Sequence, residues 1–428
     1  MILASEFDCF IGMNYYATDS TGCGGVLRQR VEDFFVEEVW EDCGYRGGRY
    51  LVVEVEKENW DTHHLVRDLS RRLGISQRRF GWAGTKDKRA ITRQRMSIIS
   101  LDEKTLDKIN LPRVKVEVLG KTNRSISLGD LKGNNFQVRI RGMNLSKEEV
   151  TRRLEAITSE VQNLGGLPNY FGVQRFGDVR PVTHLVGKAL AKGNPKKAVL
   201  TYLALPYPRE PKVTRTARAA LWDNQDFVKA LKEYPLHLRY ERAMLNHLVM
   251  TDGDYAHAFD VLSNNLKRLF VHAYQSYIFN KILSRRMEDG LPLNNAVEGD
   301  VVCFVTGGLP DVGKLQTVDR SNLEAVNRLA GRGRAYVTLP LFGYESHFAE
   351  GLPGEIERRV IEEEKVTLEG FKVPANPKLG SSGFRRPAFL MVEPQWAIED
   401  DDSSLLRFFL PAGSYATVVL REYMKTGS

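Results

Sequence analysis

Residues 78–99, RRFGWAGTKDKRAITRQRMSII, divide into three parts. Phe80 and Trp82 mark a short strand, and ITRQRMSII (91–99) alternates like a second one. Between them GTKDKR (84–89) is polar and carries a glycine, so it reads as a loop. The stretch therefore predicts strand, loop, strand, with one carboxylate, Asp87, among Lys86, Lys88 and Arg89. Loops between strands are where functional side chains tend to be carried.

Upstream, WDTHHLVRDLSRRLGIS (60–76) predicts a helix. Asp61 or Thr62 is its N-cap, Leu65, Leu69 and Leu73 share one face, and Gly74 is its stop. Before it lie two strand patterns, the end of GVLRQRVEDFFVEEVW (25–40) and GRYLVVEVEK (48–57). After the loop, RVKVEVL (113–119), NRSISLG (123–129) and NNFQVRIRG (134–142) predict three more strands. A helix follows at 146–162, opened by the Ser146–Glu149 capping pattern. Strands and helices alternating over the first ~165 residues predict an α+β or mixed α/β sheet with helices packed on it.

From about 195 to 290 the pattern is mostly helical, including RLFVHAYQSYIFNKILSRRM (268–287). Frequent Pro and Gly at 351–387 predict loops. LLRFFLPAGSYATVVLREYM (405–424) predicts two strands around a Pro-Ala-Gly turn, so the C-terminus is expected to rejoin the first sheet with the middle as an insertion. A chain of 428 residues favours two domains.

Hydrophobic residues at 42% and charged residues at 27% are ordinary for a globular protein. No run of about 18 apolar residues predicts a membrane span, and the N-terminus lacks a signal-peptide pattern, so a cytoplasmic protein is expected. Cys9, Cys23, Cys43 and Cys303 form no CxxC pair, and the eight histidines form no HExxH, so no metal site is expected. The net charge of +7 is concentrated. Between Val66 and Arg95 ten basic residues face only Asp68 and Asp87, which leaves +8, with Phe80 and Trp82 interleaved. Such a stretch suits phosphates and unstacked bases, with Arg78, Arg79, Lys88 and Arg89 as contacts. It also suits a solvated helix face.

Three further clusters stand out. LPNYFGVQRFGD (167–178) holds Asn169, Phe171 and, between Gly172 and Gly177, Arg175: an amide to bond a base edge, rings to stack on it, or a core-packing loop. In VLRQRVEDFFVEE (26–38), Arg28 precedes an alternating strand. In SGFRRPAF (382–389), Arg385 and Arg386 either contact RNA phosphates or solvate a loop. Asp87, ringed by cations, is either an ionised carboxylate available for catalysis or a surface charge balancing its neighbours.

Together these segments resemble the TruD family of pseudouridine synthases. GWAGTKDKRAITRQ (81–94) is similar to the family's central Gly-x-Lys-Asp motif, and NYFGVQRFG (169–177) to its second motif. EDFFVEE (32–38), LKGNNF (131–136) and LPAGSYATVVLRE (410–422) also look familial. The family's upstream basic residue, often lysine, falls on Arg28. The resemblance implies a pseudouridine-synthase catalytic domain, a mixed and mostly antiparallel sheet flanked by helices, at 1–195 plus 372–428. An inserted α/β TRUD domain is implied at 196–371, with RNA in the cleft between the two. It implies isomerisation of a uridine, at position 13 in the D arm of tRNA, to pseudouridine. Asp87 is the implied catalytic residue, with Phe171, Asn169, Lys86 and Arg28 binding substrate. No cofactor or metal is implied, tRNA is the partner, no protein partner is called for, and a monomer is expected. A metal-dependent nuclease is the poorer reading, because the loop around Asp87 offers cations where Mg²⁺ needs clustered acids.

Overall fold

The computed structural model describes residues 2–41, 44–45, 47–374, 376–400 and 402–426. Cys43 lies outside the described residues. The chain forms two compact units, one of Thr18–Leu167 with Leu390–Thr426, the other of residues 2–17 with Pro168–Phe389.

The first unit is built on a nine-stranded sheet. Its strands are β1 (Val26–Leu27), β2 (Phe34–Val39), β3 (Tyr50–Glu58), β4 (Phe80–Trp82), β5 (Ile91–Ile99), β6 (Val114–Thr122), β7 (Gly133–Arg141), β8 (Gln395–Asp400) and β9 (Ser403–Pro411). Its main helices are α1 (Thr62–Leu73), α2 (Lys147–Leu164) and α3 (Ala416–Met424). The order is β8-β9-β7-β2-β5-β3-β6, with β1 on β7 and β4 on β5. β2 and β5 run parallel, from Phe35 opposite Ile91 to Glu37 opposite Arg93, and the remaining pairs are antiparallel. The expected α+β architecture is present, and β9 on β7 returns the C-terminal segment to the first sheet.

Alternation decides which face is which. On β3, Leu51, Val53 and Val55 are buried beside Met96 and Ile98 of β5. Glu54 and Glu56 stand opposite Arg95 and Arg93 on the other face. Helix α1 closes the apolar face with Leu65, Leu69 and Leu73. Asp61 caps it by accepting from the His64 amide at 3.0 Å, and Gly74 ends it with φ +66°. Truncating a buried leucine such as Leu69 to Ala costs about 2–5 kcal/mol.

Three expectations are corrected. Residues 123–129 are not a strand. Their backbone is held by side chains and single bonds: the Ile126 amide donates to Ser97 Oγ at 2.9 Å and the Gly129 amide to the Ala83 carbonyl at 2.9 Å. This crossing needs Gly81, where a Cβ would lie 2.3 Å from the Ile126 carbonyl oxygen. Residues 416–424 are helix α3, not a second strand. The β-branched run Thr417–Val419 suggests a strand, but Val419 and Tyr423, four apart, are both fully buried, and Tyr423 Oη bonds Thr158 of α2 at 3.0 Å. Tertiary burial overrides local propensity here. Gly351–Glu364 is a helix inside the stretch expected as loops.

The second unit carries a four-stranded antiparallel sheet in the order Leu309–Thr317, Val301–Thr306, Ala335–Phe342, Gly383–Pro387. Its central element is the long helix Asn264–Glu288. Helix Thr183–Ala191 packs on it so closely that a Cβ on Gly187 would lie 2.0 Å from the Phe270 carbonyl oxygen. The compact units divide at 167/168 and 389/390, which does not coincide with the expected domain limits 195/196 and 371/372. No helix among the described residues is long and apolar enough to cross a membrane.

Candidate active site

Asp87 sits in the loop that leaves the sheet after β4 and re-enters it at β5. Its side chain is 47% exposed and forms an ion pair with Arg28, through Nη2 and Oδ2. Arg28 follows β1 with a left-handed backbone, φ +57°, and its guanidinium lies 4.1 Å over the ring of Phe34. The cation is thus held from two sides, by a buried aromatic face and by the carboxylate. Beside it, Arg89 donates to the Gln29 carbonyl at 3.0 Å, tying the same two segments together.

Beneath the loop lies a buried polar layer, on the face of the sheet that is otherwise apolar. Lys86 Nζ is 2.7 Å from Glu38 Oε1, and both side chains are nearly excluded from solvent. Glu38 Oε2 also accepts from the Arg95 amide at 2.9 Å and from Trp40 Nε1 at 3.2 Å. The Lys86 amide donates to Thr62 Oγ1 at 3.1 Å, Thr62 Oγ1 to Gln94 Oε1 at 3.3 Å, and Gln94 Nε2 to the Gly84 carbonyl at 3.4 Å. Lys57, fully buried on β3, donates through Nζ to the Trp60 carbonyl at 2.6 Å and to the Asp87 carbonyl at 3.3 Å. Burial pushes its ammonium down to about 8, partly opposed by Asp61 and Asp87 and reinforced by Lys86.

Lys86, expected among the substrate-binding residues, is thus engaged by Glu38 in this structure. In an extended loop neighbouring side chains diverge, so Asp87 turns to solvent while Lys86 turns inward to Glu38. Lys57 escaped sequence reading, although it left a signal. In the alternating series Leu51, Val53, Val55, Lys57 it is a lysine in the inward register.

The aromatic–amide cluster belongs to the second unit. Asn169 is buried, donates through Nδ2 to the Pro387 carbonyl at 3.0 Å, and accepts at Oδ1 from Arg386 Nη2 at 2.6 Å. The Arg386 guanidinium lies 4.3 Å over the ring of Phe171. That ring meets Phe279 edge-on at 5.3 Å, and Arg175 is 5.7 Å from it. Asn280 pins the Phe171 backbone, accepting from its amide at 2.8 Å and donating to its carbonyl at 3.0 Å. Arg175 Nε donates to Ser276 Oγ at 3.0 Å. The structure thus brings Asn169, Phe171, Arg175 and Arg386 together in one unit, and Arg28 with Asp87 in the other.

Arg385 does not join them. Strand alternation sends it to the opposite side from Arg386, where it is buried and bonds Glu357 at 2.8 Å, the Thr338 carbonyl at 2.9 Å and Thr338 Oγ1 at 3.1 Å. Burial pushes the Glu357 carboxyl above its ordinary value against the pull of that guanidinium. Arg385, expected to meet a phosphate, forms a buried ion pair in this structure.

The basic stretch is also less cationic in space than in line. Arg93 pairs with Glu37 at 2.9 Å and with Glu56 at 2.8 Å, and Arg71 pairs with Asp68. Arg79 donates to the Ile99 carbonyl at 2.9 Å and the Ser100 carbonyl at 2.6 Å. Arg72, Arg78, Lys88 and Arg89 remain exposed. On the solvent face of the same sheet an open cleft of about 540 Å³ is bordered by Asn135, Gln137, Gln395, Arg407 and Phe409, and Asp87 is not part of its lining. Among the described residues no three His, Cys, Asp or Glu side chains converge as a metal site.

Comparison with known proteins bears on this arrangement as a whole. A family model described as tRNA pseudouridine synthase D (TruD) matches residues 10–423. The chain is 51% identical to a probable tRNA pseudouridine synthase D of Methanosarcina mazei over 98% of both chains. It is 40% identical to a probable tRNA pseudouridine synthase D of Thermococcus sibiricus, covering 98% of this chain and 99% of that one. In three dimensions it is similar to a Methanosarcina mazei crystal structure assigned as tRNA pseudouridine synthase D (TruD), with TM-score 0.88 and 50% identity over 99% of each chain.

Proposed function

This chain belongs to the TruD family of tRNA pseudouridine synthases, and on that footing we propose that it isomerises the uridine at position 13, in the D arm of tRNA, with Asp87 as the acting residue. The observation that carries the reading is a single exposed carboxylate, held by Arg28 in a loop that is otherwise cationic.

The reaction breaks the bond from uracil N1 to ribose C1′, turns the base, and joins C1′ to C5. N1 ends protonated and the C5 proton goes to solvent. Nothing is oxidised and no group enters or leaves, so the chain's own side chains suffice. Three routes are open to the Asp87 carboxylate: attack at C1′, attack at C6 of the base, or removal of the C2′ proton. In each route the carboxylate must point steadily at one atom, which is what the clamp of Arg28 between Phe34 and Asp87 supplies.

A base can reach such a group only when it has left its stack. On the other unit, we propose the surface made by Arg386 on Phe171 as one that stacks a base of the RNA. A guanidinium plane stacks bases as an aromatic ring does, and its bond to Asn169 holds it over that ring. Lys88, Arg89 and Arg78 are proposed to meet phosphates of the same tRNA.

The test is tritium release from tRNA labelled at uridine C5, run on the natural protein and on Asp87→Ala, with a second transcript carrying cytidine at position 13. Release by the natural protein, none by Asp87→Ala, and none from the position-13 transcript are expected. Equal release by Asp87→Ala overturns the role of Asp87, and undiminished release from the altered transcript overturns the target.

A further inference from the structure

Lys57 is a residue that no step above uses. Its ammonium is fully buried, in the inward register of β3, and both of its bonds go to main-chain carbonyls rather than to an acid. One belongs to Trp60, just ahead of the N-cap of α1. The other belongs to Asp87 itself. An apolar side chain in that register would fill the space without burying a charge, and burying an ammonium is unfavourable unless its donors are used. Lys57 therefore occupies a position where packing alone gives a lysine no advantage.

We propose that Lys57 is a positioning residue for the isomerisation: by holding the carbonyl of Asp87 from below, it fixes the direction in which that residue's side chain leaves the loop. This rests on the reading of Asp87 as the acting residue. The Asp87 backbone is then gripped on one side by Lys57, and its carboxylate is gripped on the other by Arg28. The neighbouring anchors, Gln94 on the Gly84 carbonyl and Thr62 on the Lys86 amide, hold the loop three residues and one residue earlier. Among the described residues only Lys57 reaches Asp87 itself from the core.

The clamp is strongest with the amine protonated, when it donates to both carbonyl oxygens with its full charge. The charged groups that act on it are Asp61 ahead of α1, which favours the ammonium, Asp87 in the loop, which also favours it, and Lys86, which opposes it. Its ladder neighbours, Thr92 of β5 and Val114 of β6, carry no charge. Its proton is therefore held less firmly than that of a surface lysine, with loss centred at about pH 8. Raising the pH through that value should slacken the loop while the exposed cations that meet tRNA stay charged.

The experiment compares the natural protein with Lys57→Met, which has no donor, Lys57→Gln, which keeps a neutral donor, and Asp87→Ala. Single-turnover tritium release, tRNA affinity and thermal unfolding are read for each across pH 7–9.5. A displaced catalytic group typically loses on the order of 100-fold in rate, so Lys57→Met is expected to fall by about that factor, with tRNA affinity within about threefold. Lys57→Gln is expected to recover part of the rate and to lack the alkaline decline of the natural protein. A Lys57→Met rate within threefold of the natural one overturns the proposal, as does a rate loss matched by lost tRNA affinity. If neither variant folds, the natural protein decides: a single-turnover rate that stays flat to pH 9.5 overturns it, and a fall centred near pH 8 with unchanged affinity supports it. Activity in Asp87→Ala removes the underlying reading and this proposal with it. An inactive Asp87→Ala beside an unaffected Lys57→Met removes this proposal alone.

Discussion

The guanidinium of Arg28 rests on the ring of Phe34 at 4.1 Å and bonds the carboxylate of Asp87. A lysine ammonium can pair with the same carboxylate but presents no plane to the ring. Arg28→Lys is therefore expected to keep most of the tRNA affinity and to lose roughly 3–10-fold in turnover, and Arg28→Ala to lose roughly 10–100-fold, since misorientation of one reacting group has effects of that order. Tritium release at saturating tRNA measures both. Equal rates for Arg28→Ala and the natural protein would remove the clamp from the account.

Two neighbouring arginines should behave in opposite ways. Arg385→Ala leaves Glu357 as an unpaired buried carboxylate, which destabilises by about 3–5 kcal/mol. Its tRNA binding should keep the natural salt dependence whenever the protein is folded. Lys88→Ala and Arg78→Ala remove exposed charges. Each should leave stability within about 0.5 kcal/mol and reduce the slope of log affinity against log salt by about one. Urea unfolding and filter binding at several salt concentrations separate the two classes.

Phe171→Ala is a poor probe by itself, because removing a buried ring that packs on Phe279 costs about 3–5 kcal/mol in stability. Arg386→Met keeps a long flexible side chain over Phe171 and deletes the plane and the bond to Asn169. It is expected to lower kcat/KM about tenfold or more, in line with the loss of one base-stacking contact, with a stability cost of about 1–3 kcal/mol from the buried Asn169 oxygen that loses its donor. Unaltered kcat/KM would remove Arg386 from the base-holding surface.

His184 gives a prediction in pH. Its ring stacks on Tyr277 at 4.9 Å and meets Phe10 and Phe176 edge-on at 5.3 Å each. Burial there pushes it down to about 3, so it folds neutral. The unfolded chain takes up that proton near pH 6.5 and the folded chain does not. The contribution to stability is complete above pH 6.5 and is lost as pH falls toward 3, at up to about 1.4 kcal/mol per pH unit. His184→Phe should flatten the urea-unfolding midpoint between pH 6.5 and 4 relative to the natural protein. An unchanged slope would show that the imidazole titrates normally.

Legibility in the sequence followed periodicity. β3, β5 and α1 announce themselves because each places one clean apolar face on a shared core, and their caps, Asp61 and Gly74, are local. Residues 123–129 and 416–424 misled for one reason: a few β-branched or alternating residues look like strand until the tertiary partners are known. At the site, Asp87, Arg28, Asn169 and Phe171 stand out through residue type and motif. The inward turn of Lys86 and Arg385 is not legible, because sequence shows which charges are near in line, not which side of the backbone they leave from. Glu38 and Glu357, the acids that capture them, come from elsewhere in the chain, 48 residues away in line for Lys86 (86 minus 38) and 28 for Arg385 (385 minus 357). Lys57 shows the reverse case, where the inward register alone would have pointed to it.

Strand β7 pairs along its whole length with β9, and Phe136 stacks on Phe408 across that ladder at 5.5 Å. During synthesis β7 leaves the ribosome about 260 residues before β9 does. At translation speeds of roughly 5–20 residues per second, the nascent chain carries that ladder edge unpaired for many seconds. The strand that pairs this edge is thus also a timer, withholding a closed sheet until the whole intervening unit has been made. A message cut short anywhere in the intervening stretch yields a chain with an open edge, fit for aggregation or degradation and not for partial activity.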